Sequence, residues 1–315
     1  PVGATQKGEI CIWADRFELA CKSLVPPPEK FHGLSNTELR YRQRYVDMYS
    51  NPETIETFKL RSGIVSAIRS FMDEQAYLEV ETPMMQPIAG GAAARPFQTH
   101  HNALDMPLYL RIAPELYLKR LLVGGMRRVY EINRNFRNEG ISRRHNPEFT
   151  MLEAYQAFGD CETMLTLTEG MVRVAANVVG DPSSIAFGEH TIDYAKPFER
   201  IAYGTLFENA VGIPMADEEA VRAKASELHI ETAATRDHWL LVGDLFEQLV
   251  EKTIDASCPT FVTDFPSAIS PLTRPHADNP VLSHRWELFI AGMEIANAYT
   301  ELNDPDLQLQ RFTEQ

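Results

Sequence analysis

An α+β fold, with helices flanking a largely antiparallel sheet, is what this sequence predicts, and three observations carry the prediction. Residues 128–158 alternate as two strands joined by a turn-rich loop, and residues 286–304 do so again about a two-residue turn. Residues 52–75 and 162–179 instead repeat apolar side chains at helical spacing. Hairpins pair their strands antiparallel, and amphipathic helices bury one stripe against such a sheet.

The first hairpin organises the rest. Residues 129–139 and 148–158 are its strands, and residues 140–147 supply turn residues and basic charge. Side-chain period two places Asn133, Asn135, Arg137 and Glu139 on one face of the outgoing strand, and Phe149, Met151, Glu153 and Tyr155 on one face of the return strand. With Arg143, Arg144, His145 and Asn146 in the loop, that face offers donors to an anion and carboxylates to a cation, so it suits a ligand carrying both charges. A merely solvated face would leave Phe149, Met151 and Tyr155 stranded in water.

FRNE at 136–139, followed by RHNPEFTMLEAY at 144–155, resembles motif 2 of the class II aminoacyl-tRNA synthetases in the form carried by the lysyl-tRNA synthetases. The resemblance runs over nearly the whole chain. It implies a class II synthetase-like antiparallel sheet, with residues 35–315 as a catalytic domain that is incomplete at its C-terminus. Residues 1–34 would be a remnant strand and linker from an OB-fold anticodon-binding domain.

Composition is compatible with this. The 315 residues, 44% hydrophobic and 23% charged, are ordinary for a globular protein with a sizeable core. Four scattered cysteines, with neither CxxC nor Cys/His spacing, suggest no disulfide framework and no zinc site, and reduced cytoplasmic thiols are the default. No run approaches a membrane span and no signal pattern opens the chain, so no membrane partner is expected. A formal net charge of −14 argues against broad nonspecific nucleic-acid binding, though not against RNA held by a local basic patch.

In chain order, residues 9–24 alternate like an edge strand before the stiff Pro26, Pro27 and Pro28. FHGL at 31–34 and RYRQRYVD at 40–47 resemble the family's linker. Asn51, Pro52 and Glu53 are the cap, first-turn proline and acidic first turn of a helix running to about Gln75. YLEVETPMM at 77–85 reads as a strand closed by Pro83, and helix and strand together resemble motif 1, which implies a homodimer through residues 52–85. Gly90, Gly91 and Ala92, Ala93 and Ala94 either let backbone approach a small ligand or form a tight turn, and GGAAARPFQTHHNAL resembles the amino-acid-binding loop. In RIAPELYLKRLLVGG at 111–125, Pro114 opens a helix, Gly124 stops it, and Glu115 sits in the first turn, where the helix dipole favours an ionised carboxylate. Residues 162–179, 218–228 and 240–254 read as structural helices, with two short strands around Gly188.

Ala291 and Gly292 as hairpin turn residues would pair Ile290 with Met293 and Phe289 with Glu294, so Glu287 and Glu294 share a face. Two adjacent carboxylates repel unless a cation intervenes, and their oxygens suit magnesium bridging phosphates. Asn297, Tyr299 and Glu301 have the opposite parity, which requires a bulge if they are to join that face.

The resemblance implies ATP-dependent activation of L-lysine to lysyl-adenylate and its transfer to lysine tRNA. The implied lysine contacts are Gly91, Glu115, Arg137, Glu153, Tyr155, Asn297, Tyr299 and Glu301. Arg137, Glu139, His145, Asn146 and Phe149 would hold ATP, with Arg137 also catalytic, and Glu287 and Glu294 would hold Mg2+. The family's glycine-rich motif 3 has no counterpart, since the last glycine is Gly292. The native chain would then continue past Gln315, or have been cut, or be a paralogue, and the fragment's own competence is in question. Two other readings stand beside the ligase: the paralogue that lysylates elongation factor P, and a noncatalytic lysine-binding regulator.

Overall fold

The computed structural model describes residues 2–28, 34–92, 94–142, 145–230 and 232–314. Arg143 and Arg144 of the basic loop, Ala93, and Phe31, His32 and Gly33 of the linker therefore lie outside the described residues. Two units are distinguished, residues 1–62 and 63–315, with the division inside a long helix.

In the first unit, β1 (Val2–Ala4) and β2 (Ile10–Ile12) form an antiparallel pair. The expected edge strand over 9–24 is confined to three residues, because alternation without a paired backbone does not make a strand. Two short helices, α1 (Thr37–Arg42) and α2 (Arg44–Ser50), precede α3 (Pro52–Glu74). At six and seven residues α1 and α2 are too short to display a period. Asp47 ties these turns together by accepting hydrogen bonds from Asn51 Nδ2 (2.7 Å), Arg40 Nε (2.7 Å), Arg44 and Thr54 Oγ1 (3.2 Å). Burial raises its pKa, but the bonds from Asn51, Arg40 and Arg44 outweigh that and hold it at about 2.

The second unit continues with β3 (Leu78–Glu79), β4 (Met85–Gln86), β5 (Gln98–His101), β6 (Met106–Leu110), α4 (Glu115–Val123), β7 (Arg128–Phe136) and β8 (Glu148–Gln156). Next come α5 (Cys161–Val179), β9 (Ile185–Phe187), β10 (His190–Ile192), β11 (Glu199–Ala202), α6 (Tyr203–Val211), α7 (Glu218–Glu227) and α8 (His238–Leu245). The chain closes with β12 (Thr260–Pro266), β13 (Leu282–Ile290), β14 (Met293–Tyr299) and α9 (Pro305–Glu314). Strand orders are β3-β7-β8, β4-β6-β5, β9-β10 and β11-β12-β13-β14. Pairing is antiparallel except for β3 with β7 and β11 with β12, so the α+β class holds with mixed sheets.

Two expected elements differ. Only Leu78–Glu79 and Met85–Gln86 of residues 77–85 pair as strand. Between them Thr82 turns its backbone N–H and hydroxyl to Glu131 rather than to a neighbouring strand. The helix expected over 240–254 is α8 followed by a π-helical turn at Phe246–Val250 and a 3₁₀ turn at Glu251–Thr253. The wider turn keeps Leu245, Phe246 and Val250 all buried.

The four-stranded sheet is covered on both faces. Phe261, Trp286 and Leu288 pack with Leu165 of α5, while Val262 and Phe289 join Phe207, Leu241 and Leu245 from the helices opposite. Asp160 caps α5 by accepting from Thr163 N (2.8 Å), and Asp217 caps α7 by accepting from Ala220 N (3.0 Å).

Candidate active site

Nine residue pairs join β7 to β8 without a break, among them Asn135 with Phe149, Asn133 with Met151, Glu131 with Glu153 and Val129 with Tyr155. Directly opposed residues share a face, so the polar face read from period two is assembled. Glu131, which that reading passed over, stands opposite Glu153. It is paired elsewhere: Arg111 donates from Nη1 to Glu131 Oε1 (2.7 Å) and to Thr82 Oγ1 (3.0 Å), and both charged side chains are only 1% exposed. Asn133 Nδ2 also donates to Glu131 Oε1 (3.1 Å). Nothing in the local sequence links residues twenty positions apart across two elements.

Glu153 accepts from the Tyr155 hydroxyl at 3.1 Å. Burial is the main influence on its carboxyl, Glu115 adds to it, and Tyr155, Arg111 and Arg137 oppose it. The result is a pKa near 7, about that of a histidine. Burial, and then Glu153 and Glu115, push the Tyr155 phenol up as well, so it remains a donor.

Glu115 opens α4, buried beneath the loop that carries Gly91. At Gly91 φ is +92°, and a Cβ there would lie 3.2 Å from Ala113 Cβ and 3.5 Å from Glu115 Cβ, so backbone alone fits. Glu115 Oε1 accepts from Lys119 Nζ at 2.6 Å and from the Tyr299 hydroxyl at 3.2 Å. Lys119 also meets Glu301 Oε1 at 2.9 Å and lies 6.0 Å from the centroid of the Tyr155 ring. Burial works against the Lys119 charge, but Glu301 and Glu115 prevail and hold its pKa above the usual range. Burial raises the Glu301 carboxyl despite Lys119. Lys119 was missed, although Glu–Lys at i, i+4 on a predicted helix is a readable signal.

The second hairpin contains the bulge that parity demanded. Ile290 pairs with Met293 and Phe289 with Glu294, but Leu288 then faces Ala296 and Glu287 faces Asn297. Ile295 is the extra residue, so Glu294, Asn297 and Tyr299 all join the face of Glu287. Ala291 and Gly292 have φ of +52° and +68°, as a twisted two-residue turn needs.

Asn297 Nδ2 donates to Glu294 Oε1 (3.0 Å), and Arg285 donates to Glu287. Burial lifts the Glu287 pKa to about 7, with Arg285 lowering it and Glu294 and Glu251 raising it. Glu251, in the 3₁₀ turn that sequence reading treated as purely structural, is thus part of this electrostatic neighbourhood. Two hard carboxylates, one of which raises the pKa of the other, fit a divalent cation shared with phosphates. Among the described residues no group of three or more such side chains could hold a metal by itself.

The residues expected to hold the nucleotide are more open. Arg137 lies 5.2 Å above the Phe149 ring centroid, and its buried Nε finds no hydrogen-bond partner among the described residues. Glu139, His145 and Asn146 are exposed. The Ser142 hydroxyl meets His145 Nδ1 at 2.9 Å, and Asn146 Nδ2 donates to Glu148 O at 2.8 Å. A separate cavity of about 500 Å³, lined by Cys161, Arg200, Asp264, Arg274 and His284, includes none of the carboxylates assigned to lysine or magnesium.

A profile of the class II tRNA synthetases (D, K and N) matches residues 36–315. The chain belongs to this family. Lysine–tRNA ligases are among its relatives: that of Carboxydothermus hydrogenoformans is 55% identical over 314 residues, covering 99% of this chain and 64% of the relative. The corresponding protein of Syntrophomonas wolfei is 52% identical over 315 residues (99% and 63%), and that of Pelotomaculum thermopropionicum is 52% identical over 316 residues (99% and 62%). The chain therefore spans less than two thirds of the length of these curated relatives.

Proposed function

We propose that the protein is a lysine–tRNA ligase, activating L-lysine with ATP and passing it to lysine tRNA. The observation that carries this reading is the convergence of Glu115, Glu153 and Glu301, with the Tyr155 and Tyr299 hydroxyls, on one side of the first hairpin's face. Arg137 is close enough to influence Glu153. An amino acid with two ammonium groups and one carboxylate matches that charge pattern.

In this reading Glu115 takes the α-ammonium, with the Gly91 backbone over it. Glu153, Glu301 and the Tyr155 hydroxyl take the ε-ammonium, and Asn297 and Tyr299 line the same face. A neutral isostere of lysine would leave these acids unpaired, and an uncompensated buried charge costs about 3–5 kcal/mol. The adjacent nucleotide is held by Phe149 against the adenine and by Glu139, His145 and Asn146. Arg137 bridges the lysine carboxylate and the α-phosphate, and its Nε, without a hydrogen-bond partner among the described residues, supports a role in meeting an incoming anion.

The carboxylate then attacks the α-phosphorus in line, and catalysis is placement and charge stabilisation. Glu287 and Glu294 would hold Mg2+, which would supply charge neutralisation to the phosphates.

Residues 1–34 are the end of an anticodon-binding domain and residues 35–315 the catalytic domain. The protein pairs with a second copy through residues 52–85, where Phe58, Leu78 and Met85 are apolar and exposed. It works in the cytoplasm; among the described residues no helix is long and apolar enough to cross a membrane. The deciding experiment is ATP–pyrophosphate exchange followed by tRNA charging, with lysine, ornithine and norleucine compared. Exchange that depends on lysine and ignores norleucine supports the reading, and exchange indifferent to lysine ends it.

A further inference from the structure

Three carboxylates converge where the proposed ligand brings two ammonium groups. The mismatch is resolved within the protein, because Lys119 Nζ lies between Glu115 Oε1 (2.6 Å) and Glu301 Oε1 (2.9 Å) and holds both. The side chain is 28% exposed, Glu115 is 9% exposed, and Glu301 keeps 41% of its surface open, so solvent screens the outer half of the bridge more than the inner half. Each carboxylate has two oxygens, and Lys119 uses Oε1 of both, which leaves Oε2 of each for a ligand.

We propose that Lys119 is a positioning residue for the amino-acid substrate: its ammonium remains between Glu115 and Glu301 when lysine binds, cancels one of the three negative charges, and so tunes the pocket to a dication. The proposal rests on the lysine reading above. The charged and titratable groups facing this bridge are Tyr299 on β14, Glu153 and Tyr155 on β8, Arg137 beyond β7, Arg111 after β6, and Arg285 on β13, which acts on Tyr299. Lys119 alone among them contacts both Glu115 and Glu301. Without it, two close carboxylates would favour sharing a proton, and lysine would have to displace that proton to bind.

The test compares wild type, Lys119→Gln and Lys119→Arg by calorimetric titration with L-lysine across pH 5.5–9. We expect Lys119→Gln to move the acid limb of lysine affinity up by about one pH unit, a loss of about tenfold near pH 6.5 that shrinks to about threefold or less at pH 9. Lys119→Arg should restore the wild-type limb, and the KM for ATP should not move. Should Lys119→Gln fail to fold, the wild type still tests the idea: titrations at pH 7 in buffers of different ionisation enthalpy should show release of about one proton or fewer, from Glu153, on lysine binding. Parallel pH curves for wild type and Lys119→Gln, tighter lysine binding by Lys119→Gln, or release of two protons by the wild type would each overturn the role of Lys119. A wild type that binds no lysine at any pH would instead remove the lysine reading itself.

Discussion

The two hairpins that carry the acidic side chains solve the same problem differently. β7–β8 keeps strict register over its nine pairs, so every residue of the right parity reaches the face. β13–β14 keeps register for two pairs beyond its turn, then inserts Ile295, and residues of both parities reach one face. The first hairpin therefore stakes its site on buried charge within that same face, where Arg111 pairs with Glu131 beside Glu153. The second stakes its site on a single backbone irregularity. Disturbing the first should cost stability and specificity, whereas disturbing the second should re-aim side chains.

The largest effect is expected from breaking the buried pair on the first hairpin's face. Arg111→Met leaves Glu131 unpaired at 1% exposure, and urea denaturation should show a loss of about 3–5 kcal/mol. Arg111→Met with Glu131→Leu should recover much of it, because a matched apolar pair removes the desolvation cost.

Glu153→Gln separates stability from recognition in the same hairpin. Lysine-dependent exchange should fall by at least about a hundredfold in kcat/KM, the loss expected when a charged partner of an ammonium becomes neutral. The same variant should melt above the wild type at pH 8 without lysine. The folded-state pKa of Glu153 is about 7, above its ordinary 4.5, so ionising it costs stability progressively as pH rises from 4.5 through 7. That advantage should vanish by pH 4. In the wild type, lysine affinity should weaken as pH falls below about 7, because the ligand prefers the ionised carboxyl.

In the second hairpin, inserting one alanine between Ala296 and Asn297 shifts the parity beyond the bulge and turns Asn297, Tyr299 and Glu301 away from Glu287. The KM for lysine should rise by about tenfold or more with the fold intact by circular dichroism. Unchanged kinetics would mean that the parity set by the bulge has no part in the site. Smallest is Ala291→Gly at φ +52°, which relieves a left-handed alanine and should stabilise by about 0.5–1 kcal/mol in the same urea assay.

Much of this was legible beforehand because it is local. Helix starts at Asn51–Pro52 and at residue 218, the turn at Ala291–Gly292 and the face of the first hairpin follow from the two side-chain periods and from which residues tolerate caps and positive φ. The α+β class follows from those elements in order. The bulge could be inferred as a need but not located, because an extra residue at any of several positions between Glu294 and Asn297 would satisfy the same parity.

What only the tertiary structure decided is who pairs with whom. Residues 77–85 pair little as strand because Thr82 bonds Glu131, and Glu131 is held by Arg111 from another element. Lys119 bridges Glu115 and Glu301, nearly two hundred residues apart, because α4 and the end of β14 meet there. Sequence periodicity reports which side of an element is buried, and so it determined the elements and their faces. Charge partners across elements are chosen by distance and desolvation in three dimensions, which no spacing along the chain encodes.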